Sequence, residues 1–376
     1  MKKLAIIGAS YLQNPLIEKA KAMGLETHVF AWECGDVGEK TADYFYPISI
    51  VEKEQILARC KQIGIDGICT IASDLAAITV NYVAHHLGLT CNNPSCAEKS
   101  TNKHEMRKAF EAGNDPSPKS ILIRSIEDLA GISLRYPLIV KPTDRSGSRG
   151  ITKVETPEGL LQAIDAATSH SFEKAALVEE FAVGQEYSVE CVSYRGKHQL
   201  LAITLKYTTG APRFIETGHL QPAPLTAEMA KKVQAVVFHA LDSLEITNGA
   251  SHSELKIAED GTIQLIEIGG RMGGDFIGSD LVALSTGVDF VRAVIDVALG
   301  NQPDLTPSGA VGAAAVRFVF SRKDLEVLDA IKKQEPEILV REELSEIEDR
   351  DVTDSSSRFG AYILADSSPE KLQKWL

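Results

Sequence analysis

Over the first 95 residues, short apolar runs alternate with segments of helical spacing, and this rhythm constrains the fold more than any other feature of the chain. Residues 3–7, 26–31 and 67–70 read as strands, and residues 16–23, 52–63 and 75–87 as helices. Gly24 stands where a helix C-cap needs a left-handed residue. Strands joined by helical crossovers run parallel, and a parallel sheet must be covered on both faces, which predicts a doubly wound α/β unit. The turn Gly8-Ala9-Ser10 follows the first strand, where such folds place ligands. It is not G-x-G-x-x-G, which argues against a dinucleotide cofactor. Asp74 lies at another strand's C-terminal end and either faces the ligand crevice or caps the next helix.

Residues 252–275, HSELKIAEDGTIQLIEIGGRMGGD, read as a β-hairpin turning at Asp260-Gly261. A two-residue turn there sets Glu254 directly opposite Glu267 on one face, their Cβ atoms about 4.5–5.5 Å apart. By parity His252, Lys256 and Arg271 share that face. Like charges so placed repel, and two readings follow. Either a hard cation, Mg²⁺ first, sits between the carboxylates, or the hairpin is a solvated acidic surface with Lys256 as counter-ion.

The middle of the chain predicts further units. Residues 96–125 form a hinge with a helix on which Lys103 and Arg107 are i,i+4 neighbours, read as ordinary surface charge. Strands at 136–141 and 151–154 flank TDRSGSRG (143–150), a loop able to fold over phosphates or to be a mobile hairpin tip. It is not a P-loop, because a strand and not a helix follows. Residues 175–181 and 186–194 read as a strand pair around Val183-Gly184-Gln185. RFIETGHLQPAPL reads as a shaped loop, 227–241 and 285–299 as helices, and 313–320 as a strand. Arg317 in that apolar strand needs a salt bridge or an anionic ligand, since an unpaired buried charge is costly. The remaining tail alternates short helices and strands, an α+β pattern.

The 376 residues allow two or three domains, and a net charge of −13 argues against nucleic acid or an anionic membrane as partner. The six cysteines contain no C-x-x-C pair, the N-terminal apolar run is too short for a signal peptide, and no run of about 18 apolar residues occurs, so a reducing cytoplasm is expected.

The order of these parts resembles the ATP-grasp superfamily: a strand ending Lys-Pro, a glycine-rich loop, VEEF and GQEYSVE, then a two-glutamate hairpin ending in arginine. ETGHLQPAPL and EIGGRMGGD are similar to the carboxylate–amine ligase group that includes L-amino-acid ligases. The resemblance implies an ATP-grasp fold with an N-terminal βαβ domain (1–98), an ATP-grasp domain (99–305) with a lid subdomain (142–195), and a small C-terminal α+β unit (306–376). It implies ATP with Mg²⁺, Mn²⁺ being the alternative ion. Lys103 and Lys141 would contact the phosphates, with Ser146, Gly147 and Ser148 closing over them. Glu179 and Glu180 would lie on the adenine side, with backbone groups of Phe181 and Ala182 bonding the base, and Glu186 would hold the ribose. Glu254 and Glu267 would bind the metal, with Arg271 and Lys141 catalytic. His219, Arg317 and Asp74 are the substrate-side candidates. The implied activity joins a small carboxylate to an amine through an acyl phosphate and releases ADP. An ATP-binding sensor or subunit, and a purine-pathway or carbamoyl-phosphate-type enzyme, are the alternatives. A homodimer is allowed but not required. Many members carry a metal-binding Asn where this chain has Gly269, and Asp275 is the nearest substitute.

Overall fold

The computed structural model describes residues 1–147 and 149–376. Ser148, expected to face phosphate, lies outside the described residues. Three sheets organise the chain. The first holds β1 (Lys3–Ile7), β2 (Glu26–Phe30), β3 (Tyr44–Tyr46) and β4 (Gly67–Cys69) in the order β3-β2-β1-β4, all parallel. The β1 side chains split between two cores. Leu4 and Ile6 pack with Leu16, Ile17 and a helix far along the chain, Phe290–Ala298, while Ala5 and Ile7 pack with Ile56, Cys60, Val83 and Ala84. The rhythm of residues 1–95 therefore gives the expected α/β layers, one of them covered by a distant segment.

The second sheet contains β5 (Ser120–Ile123), β6 (Leu138–Pro142), β7 (Thr152–Val154) and β8 (Ala176–Glu180), in the order β5-β8-β6-β7. The third has eight strands in the order β13-β12-β9-β10-β11-β14-β16-β15. They are β9 (Gln185–Tyr194), β10 (Lys197–Thr208), β11 (Glu216–Gln221), β12 (Gly249–Ile257), β13 (Ile263–Gly269), β14 (Ala313–Phe318), β15 (Leu339–Leu344) and β16 (Gly360–Asp366).

Three expectations change. Residues 175–181 and 186–194 are not a pair: β8 pairs with β5 and β6, whereas β9 pairs with β10 and β12. Gly184 carries the chain between the two sheets at φ +126°, and a Cβ there would stand 2.3 Å from the Ile257 carbonyl oxygen. The supposed loop around ETGHLQ is strand β11. Its Gly218 disguised it, and is required because a Cβ would meet the Val316 oxygen of β14 at 2.8 Å. The helix expected at 285–299 is two helices, Val282–Thr286 and Phe290–Ala298, divided at left-handed Gly287.

The hairpin register is as expected, but by another route. Glu254 does face Glu267. The turn, however, is longer: Ala258 donates to the Thr262 oxygen at 2.9 Å, enclosing Glu259, Asp260 and Gly261. Leu255 then pairs with Leu265, and a bulge at Ile266 restores the offset before Glu267. The carbonyl of the bulged Ile266 accepts from Arg107 Nη2 at 2.7 Å.

Gly184→Ala should lower stability by about 2 kcal/mol or more, because strained φ and a backbone clash coincide. Urea unfolding of the two proteins measures it, and a change under 0.5 kcal/mol would show that the inter-sheet crossing adapts.

Candidate active site

Lys103 opens the helix Lys103–Gly113, whose Asn102 cap accepts from the His104 and Glu105 amides. Its backbone N–H donates to the Thr143 oxygen at 2.8 Å. Its buried ammonium donates to Glu267 Oε1 at 2.8 Å and to the Arg145 oxygen at 2.7 Å. One residue thus joins the hinge helix, the glycine-rich loop and the hairpin. Arg107, a turn later, is 4% exposed and no surface charge. Its Nε lies 2.7 Å from Glu179 Oε1, and Lys141 Nζ lies 2.6 Å from Glu179 Oε2. Burial disfavours the Glu179 carboxylate, but Arg107 and then Lys141 outweigh it and hold its pKa below the usual range. Burial also lowers the Lys141 pKa, against the pull of Glu179.

This changes two assignments. Glu179 is sealed between two cations and does not present its carboxylate to a base. The Phe181 N–H already donates to the Pro137 oxygen at 3.2 Å, so of the Phe181 backbone groups assigned to the base the N–H is committed elsewhere. Phe181 instead offers its ring to Lys153 and Lys256, at 4.4 and 4.8 Å from the centroid. Glu180 is half-buried, with its amide bonded to the Lys119 oxygen, and Ala182 is buried.

A second centre forms on the eight-stranded sheet around Lys206, which is 3% exposed. Its Nζ lies 2.6 Å from Glu254 Oε1, 3.0 Å from Glu186 Oε1 and 3.6 Å from Glu216 Oε1. Burial alone would lower the Lys206 pKa. Glu254, Glu186 and Glu216 reverse this and raise it well above the ordinary value. The Glu254 pKa is correspondingly held well down, Lys206 and His252 overcoming its burial. Sequence reasoning missed Lys206 and Arg107. The signal for Lys206 was there, a lone cation in the apolar run LLAITLKYT, and it is the same signal that drew notice to Arg317.

Asp74, the first residue of helix Asp74–Leu87, reaches across to Arg271 in a two-pronged bridge, Nε to Oδ1 at 2.8 Å and Nη2 to Oδ2 at 3.0 Å. This accounts for Gly269. A Cβ at that position would stand 2.8 Å from Asp74 Oδ1 and 3.2 Å from Arg271 Cζ. Asp275 is no substitute ligand, because both its oxygens are taken by Arg358, at 2.6 and 3.0 Å. His219 is fully buried beside Asp275 at 3.8 Å and edge-on to Phe318, and burial lowers its pKa, favouring the neutral ring. Arg317 does not face the site. It donates to the Trp375 and Leu376 oxygens and to Asp324 Oδ1, at 2.9, 3.0 and 2.8 Å, so its substrate assignment is withdrawn. Ser146 and Gly147 are exposed on the glycine-rich loop. Ser146, Lys103, Glu267 and Asp74 border a cavity of about 730 Å³, walled by Ile78 and Tyr82.

Among the described residues no group of three or more His, Cys, Asp or Glu side chains is set to enclose a metal ion. Glu254 and Glu267 nonetheless fit Mg²⁺, which takes one or two carboxylates together with phosphate oxygens and needs no all-protein cage. Two opposed carboxylates, each held at Oε1 by a lysine, also match a site whose charge balance involves cations.

Residues 134–280 match the family model of the ATP-grasp domain. The chain carries an ATP-grasp domain. Its whole length superposes on the L-amino acid ligase from Bacillus licheniformis with a TM-score of 0.85 and 23% identity, covering 100% of this chain and 96% of that one, so the fold is the ATP-grasp fold throughout. In sequence it is 28% identical over 281 residues to alanine–anticapsin ligase of Bacillus subtilis (strain 168), covering 68% of this chain and 58% of that protein. It is 24% identical over 337 residues to carnosine synthase 1 of Mus musculus, covering 81% of this chain and 40% of that protein. The ATP-grasp chain therefore spans three-fifths or less of the length of these two curated relatives. Among the described residues no helix is long and apolar enough to cross a membrane.

Two outcomes follow. Gly269→Ala should destabilise the wild type more than it destabilises Asp74→Ala, with a coupling of about 0.5–3 kcal/mol in a double-mutant cycle; additive effects would mean that Asp74 does not fill that space. Glu179 has a depressed folded pKa. Its contribution to stability is therefore complete above the unfolded pKa of about 4.3 and is lost as pH falls through the lower folded value. Glu179→Gln should cost about 3–5 kcal/mol at neutral pH. It should also flatten the acid limb of stability below about pH 4, as read by urea unfolding across pH.

Proposed function

We propose that this ATP-grasp protein is an ATP-dependent ligase that joins a small carboxylate to an amine and releases ADP and phosphate. The observation that carries the reading is the meeting of Glu254, Glu267 and Arg271 with Lys103, Lys206 and Asp74 at one place, where negative side chains alternate with fixed positive charge. Such a constellation can hold and neutralise a triphosphate. The names of the L-amino acid ligase and of alanine–anticapsin ligase direct the substrate reading to amino acids.

In this reading Lys103 and Lys141 face the phosphates, with Ser146 and Gly147 above them. Ala182 and Glu180 border the base, and Glu186 the ribose. Glu254 and Glu267 would hold Mg²⁺, which supplies charge neutralisation as the terminal phosphoryl group leaves. A substrate carboxylate oxygen attacks that phosphorus, ADP departs, and the acyl phosphate forms. The amine nitrogen then attacks the acyl carbon, phosphate leaves with the electron pair, and the amine gives up a proton. Arg271, aimed by Asp74, presents a permanent positive charge where oxygen charge develops. Neutral His219, packed beside Asp275, lies on the substrate side. Gly269, in place of a metal-binding Asn, would favour the ATP-sensor alternative, but the Asp74–Arg271 bridge gives it a steric reason. We place the protein in the cytoplasm, where its six free cysteines would stay reduced.

Mg-ATP supplied with pooled carboxylates and amines, amino acids included, should give amine-dependent ADP release. Glu267→Gln should reduce it about 100-fold or more. A wild type that releases no ADP in response to any pair would defeat the ligase reading.

A further inference from the structure

Two buried ionisable residues have no part in the mechanism above. Glu190 on β9 is fully buried, and His252 on β12 is its direct cross-strand partner, 7% exposed. His252 Nδ1 bonds Glu190 Oε1, and the other Glu190 oxygen accepts from the Gly273 amide at 3.0 Å. On its far side, His252 Nε2 lies 3.4 Å from Glu254 Oε1. The chain of contacts therefore runs from the backbone of the segment following Arg271, through a carboxylate and an imidazole, to one of the two opposed glutamates. Gly273 is glycine for the same reason: a Cβ there would stand 2.7 Å from both Glu190 Oε1 and His252 Nδ1.

The arrangement fixes directions. Both ring nitrogens face carboxylate oxygens, Nδ1 that of Glu190 and Nε2 that of Glu254, so the ring is held between the two side chains. Glu254 receives His252 and Lys206 on the same atom, Oε1, while Oε2 carries neither contact. A carboxylate pinned through one oxygen by two donors cannot turn freely, and the second oxygen keeps a set direction. Glu267 has a lysine on Oε1 but no imidazole, so the device belongs to Glu254 alone of the two.

We propose that Glu190 and His252 form a positioning dyad, in which Glu190 fixes the imidazole and the imidazole fixes the Glu254 carboxylate for a divalent cation. The inference rests on the reading of Glu254 as a metal-binding residue. Groups of this kind, one shell removed from a metal, change affinity about 10–100-fold when altered. In this proposal the dyad acts on Glu254 and not on either substrate, which separates it from a residue that binds one of them.

The test uses Mn²⁺ as probe. It is titrated into the full-length protein with ADP present, and free Mn²⁺ is read by its electron paramagnetic resonance signal. His252→Leu should raise the Mn²⁺ Kd about 10–100-fold. Glu190→Gln, nearly isosteric, should raise it about 10-fold, at the lower end of that range. The KM values for carboxylate and amine should stay within about twofold of wild type. If His252→Leu fails to fold, Glu190→Gln alone decides. Unchanged Mn²⁺ affinity in the folded variants overturns the dyad, as does a raised amine KM with normal Mn²⁺ affinity, which would make His252 a substrate contact. A wild type that binds no Mn²⁺ with ADP overturns the metal reading of Glu254 and the dyad with it. A wild type that binds Mn²⁺ but ligates no pair defeats the ligase reading, and the titration still decides the dyad.

Discussion

Two glutamates held face to face across a hairpin repel, and the fold keeps them because a buried lysine is locked onto each. Lys103 comes from the hinge helix and Lys206 from β10, two strands along the sheet, so the pairing ties three parts of the chain together where the two carboxylates oppose each other. In a partly desolvated setting such attractions are worth several times their value in water, and losing one partner leaves a stranded charge. The same logic recurs at Glu179, between Arg107 and Lys141, and at Asp275, gripped by Arg358. The centre is a lattice of alternating charge. Its charged members are paired with one another across separate elements of the fold.

Much of this was legible from the chain. Strand–helix alternation gave the parallel sheet, because periodicity is local and is enforced by burial on both faces. The Glu254–Glu267 pairing was legible too, although the route was not: a longer turn and a bulge at Ile266 offset each other. A bulge leaves no signature in composition, since Ile266 differs from its neighbours only in which backbone group it leaves free. Arg107 looked like a surface residue because helical spacing alone cannot say which face a helix buries. Lys206 was overlooked although the argument that singled out Arg317 applied to it equally. For Arg317 the partner proved to be the chain's own Trp375 and Leu376 carbonyls and Asp324. A lone cation in an apolar strand announces a partner but not which one.

Glycine carried more information than its bland reading suggests. Gly269, Gly273 and Gly184 have different sequence contexts, yet each is small because something specific occupies the space: a carboxylate of Asp74, the Glu190–His252 contact, and the Ile257 backbone. A departure from a family pattern is therefore best read by what stands in the vacated volume. At Gly269 that is an acid delivered from the first turn of helix Asp74–Leu87, which couples the placement of that helix directly to Arg271.

That coupling has a counterpart in the core. One face of the first sheet, through Leu4 and Ile6, packs with Leu16 and Ile17 of helix Asn14–Ala22 and with helix Phe290–Ala298. During synthesis β1 precedes this covering helix by nearly three hundred residues. The first sheet is thus tied to the rest of the fold by its core as well as by the Asp74–Arg271 bridge.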